Sequence, residues 1–173
     1  MHPNQATLER FYNAFARLDV DTLATCYACC APDAQFDDEA FSLRGHEQVM
    51  GMWRPLCDAT KARALSDWKQ TYSGMHADAK TGKAHWEADD RFSATNRLSR
   101  TAIDGVFEFN AQGLIARHRD SFNFWLWSWS RQAPGTHGLL LGSTPFLRQK
   151  VRSTAAGNLQ KFLAVKNAGR GTT

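Results

Sequence analysis

Leu8, Phe11, Tyr12, Phe15 and Leu18 recur at the three-to-four spacing of one helical face, so the segment after Asn4 is predicted to be an amphipathic helix with a single buried stripe. Asp19 can cap a short second helix through Leu23 and Tyr27, which Pro32-Asp33 is expected to end. A short strand, Ala34 to Leu43, follows this helical hairpin. Gly45 then precedes a third helix with Val49, Met52, Trp53 and Leu56 on one face, its end left open by Pro55. Beyond it lie four strand-like stretches, about Ala64 to Met75, Lys83 to Ala94, Ser99 to Asn110 and Gly113 to Phe124. The breaks between them, Lys80-Thr81-Gly82, Thr95-Asn96-Arg97 and Asn110-Ala111-Gln112-Gly113, are short enough for antiparallel hairpins, which predicts a curved meander.

After Phe124 the pattern changes to Trp125-Leu126-Trp127-Ser128-Trp129, then the loop Pro134-Gly135 and the apolar run Leu139 to Leu141. A last helix is expected from Thr144-Pro145, a capping residue followed by a proline whose missing N–H costs nothing there. Leu147, Val151, Ala155, Leu159 and Phe162 give it an apolar stripe. The 173 residues suit one domain, divided into a body over 1–124 and an aromatic, basic helical extension over 125–173 packed on it.

Hydrophobic content of 43% against 22% charged residues places the chain with folded proteins and away from disordered ones. Its charge of +4 is unevenly spread. No Asp or Glu follows Asp120, and the tail holds Arg131, Arg148, Lys150, Arg152, Lys161, Lys166 and Arg170, which leaves the rest of the chain at −3. Such a tail suits a solvated helix face or an anionic surface; no nucleic-acid motif accompanies it, so neither specific nucleic-acid binding nor membrane contact is expected. The amino terminus lacks the basic start and apolar run of a secretory signal, and a cytoplasmic setting is expected. Cys26, Cys29, Cys30 and Cys57 fall in helical segments, so reduced thiols are expected; Cys26 and Cys29 have no second ligand pair to complete a zinc shell.

Strand parity selects the candidate chemistry. On the third strand-like stretch His85, Glu87, Asp89 and Arg91 alternate with Trp86, Ala88, Asp90 and Phe92, which sets Asp90 on the apolar face. On the last, Leu114, Ala116, His118, Asp120, Phe122 and Phe124 share a face, so His118 and Asp120 point inward together. An imidazole beside a carboxylate among aromatics offers a proton donor and a proton acceptor. On the short strand, Asp38 shares its face with Phe36 and is read as inward, Asp37 as outward. Each reading has a structural counterpart: a strand-end Asp tipping to solvent, a buried His–Asp pair satisfying itself, and two solvated carboxylates near a turn.

The order of elements from about Leu8 to Phe124, with several strings, resembles the nuclear-transport-factor-like superfamily, which includes ketosteroid isomerases, limonene epoxide hydrolases and SnoaL-like polyketide cyclases. Gly105-Val106-Phe107, Gly113-Leu114-Ile115 and Arg119-Asp120-Ser121-Phe122-Asn123 resemble the final hairpin of the epoxide hydrolases, with Asp120 on a catalytic carboxylate and Glu87 to Asp90 on the segment supplying the other. Ala88 stands where those enzymes carry an arginine. Glu9 to Asp21 and Ala34-Gln35-Phe36-Asp37-Asp38 resemble the isomerases, with Asp38 on their general base and Phe11, beside Tyr12, on their first-helix tyrosine.

The resemblance implies an α+β fold, a cone-shaped curved antiparallel sheet wrapped around N-terminal helices (a cystatin-like α+β barrel), with homodimers paired through the outer sheet face. The expected function is cofactor-independent and metal-free acid–base catalysis on a small apolar organic molecule, as an isomerase, epoxide hydrolase or cyclase. Asp90, Asp120, His118 and Asp38 are the catalytic candidates, and Tyr12, Phe36, Trp53, Trp86, Phe92, Phe107 and Phe122 the substrate-contacting ones. The alternative from another class is a ligand-binding or dimerisation module of the same fold that leaves its ligand unchanged.

Overall fold

Leu8, Phe11, Tyr12 and Phe15 are buried along one side of α1 (Pro3–Arg17), as their spacing requires, and Pro3 occupies the first turn, where no N–H is needed. The computed structural model describes residues 2–17, 20–62, 68–92, 96–124 and 126, with 149, 152, 153, 156, 157, 159–161 and 164 beyond them. Among the earlier expectations, Leu18, Asp19, residues 64–67, Ala94, Thr95, Trp125, Trp127 to Trp129, Pro134-Gly135, Leu139 to Leu141, Thr144-Pro145, Leu147, Val151, Ala155 and Phe162 lie outside the described residues. The side chains of Leu23, Leu56 and Phe92 do so too.

The second helix, α2 (Val20–Ala28), ends ahead of Pro32, which lies inside β1 (Cys30–Asp37). A proline has no N–H for the ladder, and the pairing of β1 with β6 (Ile115–Phe122) shifts register between Cys30 and Gln35 around it. The single strand expected over Ala34 to Leu43 is two strands. Asp38 splits it: its N–H donates to the Phe41 carbonyl at 2.9 Å, while the N–H groups of Ala40 and Phe41 donate to its Oδ1 at 2.6 and 2.5 Å. An aspartate that satisfies its own turn in this way reverses the chain into β2 (Ser42–Arg44). The third helix, α3 (Gly45–Ala62), then starts at Gly45, whose φ of 77° is a left-handed value that favours glycine.

Three long strands follow, β3 (Lys69–Ala77), β4 (Thr81–Phe92) and β5 (Arg97–Phe109), and the six strands form one sheet in the order β2-β1-β6-β5-β4-β3. Every pairing is antiparallel except β1 with β6, which run parallel, so the sheet is mixed where an all-antiparallel one was expected. The last strand fills the gap between β1 and the hairpins and enters from the same end as β1. Register shifts in β3–β4 and β5–β6 mark irregular points where strands bend.

The inner face of this curved sheet carries Trp86, Ala88, Ile103, Phe107 and Ile115 against the buried stripe of α1. Burying one such large side chain contributes about 1.5–3 kcal/mol. Helix and sheet touch closely: a Cβ on Gly82 would lie 2.9 Å from Leu8 Cδ1. Asn4 Nδ2 ties the start of α1 to the β3–β4 turn through the Asp78 carbonyl at 2.9 Å. A smaller cluster joins Phe36 and Leu43 to Leu159 of the carboxyl-terminal stretch. Outside, Arg100 is paired with Glu87 and lies 3.9 Å from Asp89, and His85 Nδ1 is 2.8 Å from Asp104 Oδ1. Among the described residues no helix is long and apolar enough to cross a membrane.

Candidate functional site

Alternation along β6 turns His118 and Asp120 into the space between sheet and helices, where both are buried. His118 Nε2 lies 2.8 Å from Asp120 Oδ1, which also accepts a weaker bond from Trp86 Nε1 at 3.4 Å. That contact occupies Nε2 and leaves Nδ1 as the other polar atom of the ring. Aromatic rings fix that imidazole: Phe107 stacks on it at 4.3 Å, and Phe36 and Phe11 present edges at 5.0 and 5.6 Å.

Tyr12 reaches the same place from α1. It is 1% exposed, and its Oη has no hydrogen-bond partner among the described residues. Burial first, then the charge of Asp120, holds its hydroxyl well above the usual phenol range, so it stays neutral and can donate. Both groups lean over the bare backbone of Gly105, which pairs with Asp120: a Cβ there would lie 2.9 Å from Tyr12 Oη and 3.1 Å from Asp120 Oδ1. Glycine is required by close approach at this point.

The parallel register supplies the third acid. Phe36 lies opposite His118 and Asp37 opposite Arg119, and Asp38 follows directly where that pairing ends. Asp38 is half-buried, and both turn amides bond its Oδ1, so Oδ2 accepts no hydrogen bond from the described residues. Burial raises its carboxyl to about 6 against the lowering effect of those amides; Asp120 raises it further and His118 lowers it, so Asp38 feels both members of the pair.

Asp90 stands elsewhere. It shares the inner face of β4 with Trp86 and Ala88 and is half-buried, but it pairs with Ser99, whereas Asp120 is level with Gly105 and Ala84. Six residues of strand separate those levels, about 20 Å. Asp90 and Asp120 thus share the inner face of the sheet at different levels, because the register across β4, β5 and β6 sets the height.

Among the described residues an inner and an outer hollow are found, His118 lining the first and Asp38 the second. The inner one, with a cavity volume of about 30 Å³, is lined by Phe11, Phe15, Tyr27, Phe36, Trp53 and His118 among others. Phe36 and Trp53 thus line this cavity, while Tyr12, Trp86 and Phe107 pack around the His118–Asp120 pair. Phe122 is half-buried opposite Ile103. The outer hollow is open, about 490 Å³, and is bounded by Asp38, Ser42, Arg117, Arg119 and Arg152 among others. All four cysteines are free, and burial pushes the Cys30 thiol up to about 12. Among the described residues no group of three or more His, Cys, Asp or Glu is placed to hold a metal ion.

Sequence reading missed the approach of Tyr12 to Asp120, for which its place one step past Phe11 on the buried stripe was the available signal. It also missed the gathering of arginines, which no local pattern announces.

A family model described as a SnoaL-like domain matches residues 8–118. No curated protein matches the chain. Among solved structures, an NTF2-like protein of unknown function from Burkholderia pseudomallei K96243 is similar with a TM-score of 0.59 at 16% identity, over 77% of this chain and 100% of its own. Another, from Exiguobacterium sp. 255-15, gives 0.56 at 18% identity over 68% and 98%. TerC, co-crystallised with polyporic acid, gives 0.53 at 12% identity over 70% and 92%. At these identities the likeness speaks for the fold alone.

Proposed function

Since the chain belongs to the SnoaL-like branch of the NTF2-like superfamily, a fold of pocket proteins, we propose that it is a cofactor-independent acid–base enzyme acting on a small organic molecule. Asp38 takes a proton on Oδ2, the oxygen its turn leaves unclaimed. His118, oriented by Asp120 and the face of Phe107, exchanges a second proton through its other nitrogen. Tyr12 Oη is the neutral donor for an oxygen on which charge gathers. The reading rests on one observation: the parallel β1–β6 register, which pairs Phe36 with His118 and so brings the end of β1, where Asp38 follows, to the strand that carries the buried His118–Asp120 pair. An acid near 6 beside a fixed imidazole suits proton transfer near neutral pH, in a proton-shift isomerisation, a cyclisation or a water-mediated ring opening.

The related fold of TerC, co-crystallised with polyporic acid, supports an organic ligand. One observation favours a second, non-catalytic reading, a ligand-binding or dimerisation module: the inner cavity, about 30 Å³, holds no more than a water or two. Pairing of two copies through the outer sheet face around Leu98, which is 60% exposed, belongs to the proposal under either reading. Turnover of enone and epoxide panels by the wild type, Asp38→Asn and Asp120→Asn decides between them. Loss of about 100-fold or more in both variants is expected. Equal activity in all three, or recovery of every compound unchanged by mass spectrometry, refutes the catalytic reading.

A further inference from the structure

The outer hollow, about 490 Å³ against about 30 Å³ for the inner cavity, falls within the roughly 300–1,000 Å³ range of ligand pockets. Its wall is set by chain topology. Arg117 and Arg119 project from the outer face of β6, while Arg152 comes from the carboxyl-terminal stretch and is anchored by donating its Nε hydrogen to the Glu39 carbonyl at 2.9 Å. That carbonyl orients Arg152 without neutralising it.

Charge in the hollow is only partly balanced. Arg117 lies 3.7 Å from Asp37 Oδ2 and 3.8 Å from Glu108 Oε1, both long for a charged hydrogen bond. Arg119 is exposed, and its guanidinium makes no hydrogen bond or ion pair with the described residues. Three guanidinium groups thus face two lining carboxylates, Asp37 and Asp38, and Asp38 is held above the usual carboxylate range by its burial. An oxyanion is the complement of such a wall, because a guanidinium presents parallel N–H groups that match carboxylate or phosphate oxygens.

Asp38 makes the hollow part of the site. It lines the arginine-bearing opening, and the charges of His118 and Asp120 act on it. We propose that the ligand of this site is an organic anion, a carboxylate or phosphate, whose charged end is held by Arg119, Arg152 and Arg117 while its uncharged part lies against Asp38. The role of Asp38 in turnover rests on the function proposed above; the anion site stands on the arginines alone.

The test is calorimetric titration at low salt with 2-naphthylacetate, its uncharged amide and 2-naphthyl phosphate. The carboxylate, the phosphate or both should bind about tenfold or more tighter than the amide, and the stronger of the two identifies the source of the oxyanion. Arg119→Gln and Arg152→Gln should each remove most of that preference without changing the affinity for the amide, and Arg119→Lys should keep part of it. Far-UV circular dichroism and a thermal melt verify that each variant is folded. Anions that bind no better than the amide, or a preference untouched in both Gln variants, overturn the proposal, as does the absence of saturable binding by either anion. Asp38→Asn separates the two proposals: anion binding retained with turnover lost supports both, whereas anion binding retained with turnover unchanged refutes only the catalytic role.

Discussion

Replacing Asp38 by Asn should stabilise the protein at pH 8 and leave its stability unchanged at pH 4. The turn amides of Ala40 and Phe41 bond Oδ1 at 2.6 and 2.5 Å, and an asparagine Oδ1 can accept both, so the β1–β2 turn survives the exchange. What the exchange removes is a charge that burial disfavours. Burial holds the Asp38 carboxyl up at about 6 in the folded chain, against an ordinary value of 3.8. A raised carboxyl pKa contributes stability that is fully present below the unfolded value and lost as pH rises through the folded one. Wild-type stability therefore falls between about pH 4 and 6 because of this residue, by up to about 3 kcal/mol, with about 2 kcal/mol the working figure for a half-buried group. Urea denaturation of the pair at pH 4, 5, 6 and 8 measures it. Curves that coincide at pH 4 and separate to a plateau above pH 6, with the variant more stable, are expected. A difference independent of pH, or a variant less stable at pH 8, refutes the buried placement of this carboxyl.

Two further substitutions probe the neighbouring groups. Tyr12→Phe deletes a buried hydroxyl without a partner among the described residues and should raise stability by about 1 kcal/mol in a urea titration while lowering turnover; a loss of stability instead would show that Oη is already bonded. Gly105→Ala places a methyl group 2.9 Å from Tyr12 Oη and 3.1 Å from Asp120 Oδ1, and should cost about 1–3 kcal/mol with a matching fall in melting temperature; an unchanged melt would contradict the packing described.

The parts of the fold legible in the sequence are those governed by local period. The stripe of α1 and the alternation of β4, β5 and β6 follow from spacing, and spacing alone turned His118 and Asp120 inward. Two features depended on what spacing does not encode. Asp38 ends a strand because its side chain closes a turn, a competition between side-chain and ladder hydrogen bonds settled by three residues of context. Asp90 had the right parity, but its height relative to Asp120 is fixed by pairing across β4, β5 and β6, which one strand read alone does not contain. The meeting of Arg152 with Arg117 and Arg119 is more remote still, since it depends on where a distant helical segment docks.

The place of β6 bears on how the protein is made. Because this strand, the last of the six, lies between β1 and β5, a growing chain holds two sheet fragments with an empty lane between them until residues 115–122 have been synthesised. Long-range closure of this kind slows folding, since loop entropy is lost before the contacts that repay it form. The two exposed strand edges beside that lane are competent to pair with other chains in the meantime. The His118–Asp120 pair arrives on the strand that seals the gap, so the step that completes the sheet is also the step that assembles the candidate catalytic groups.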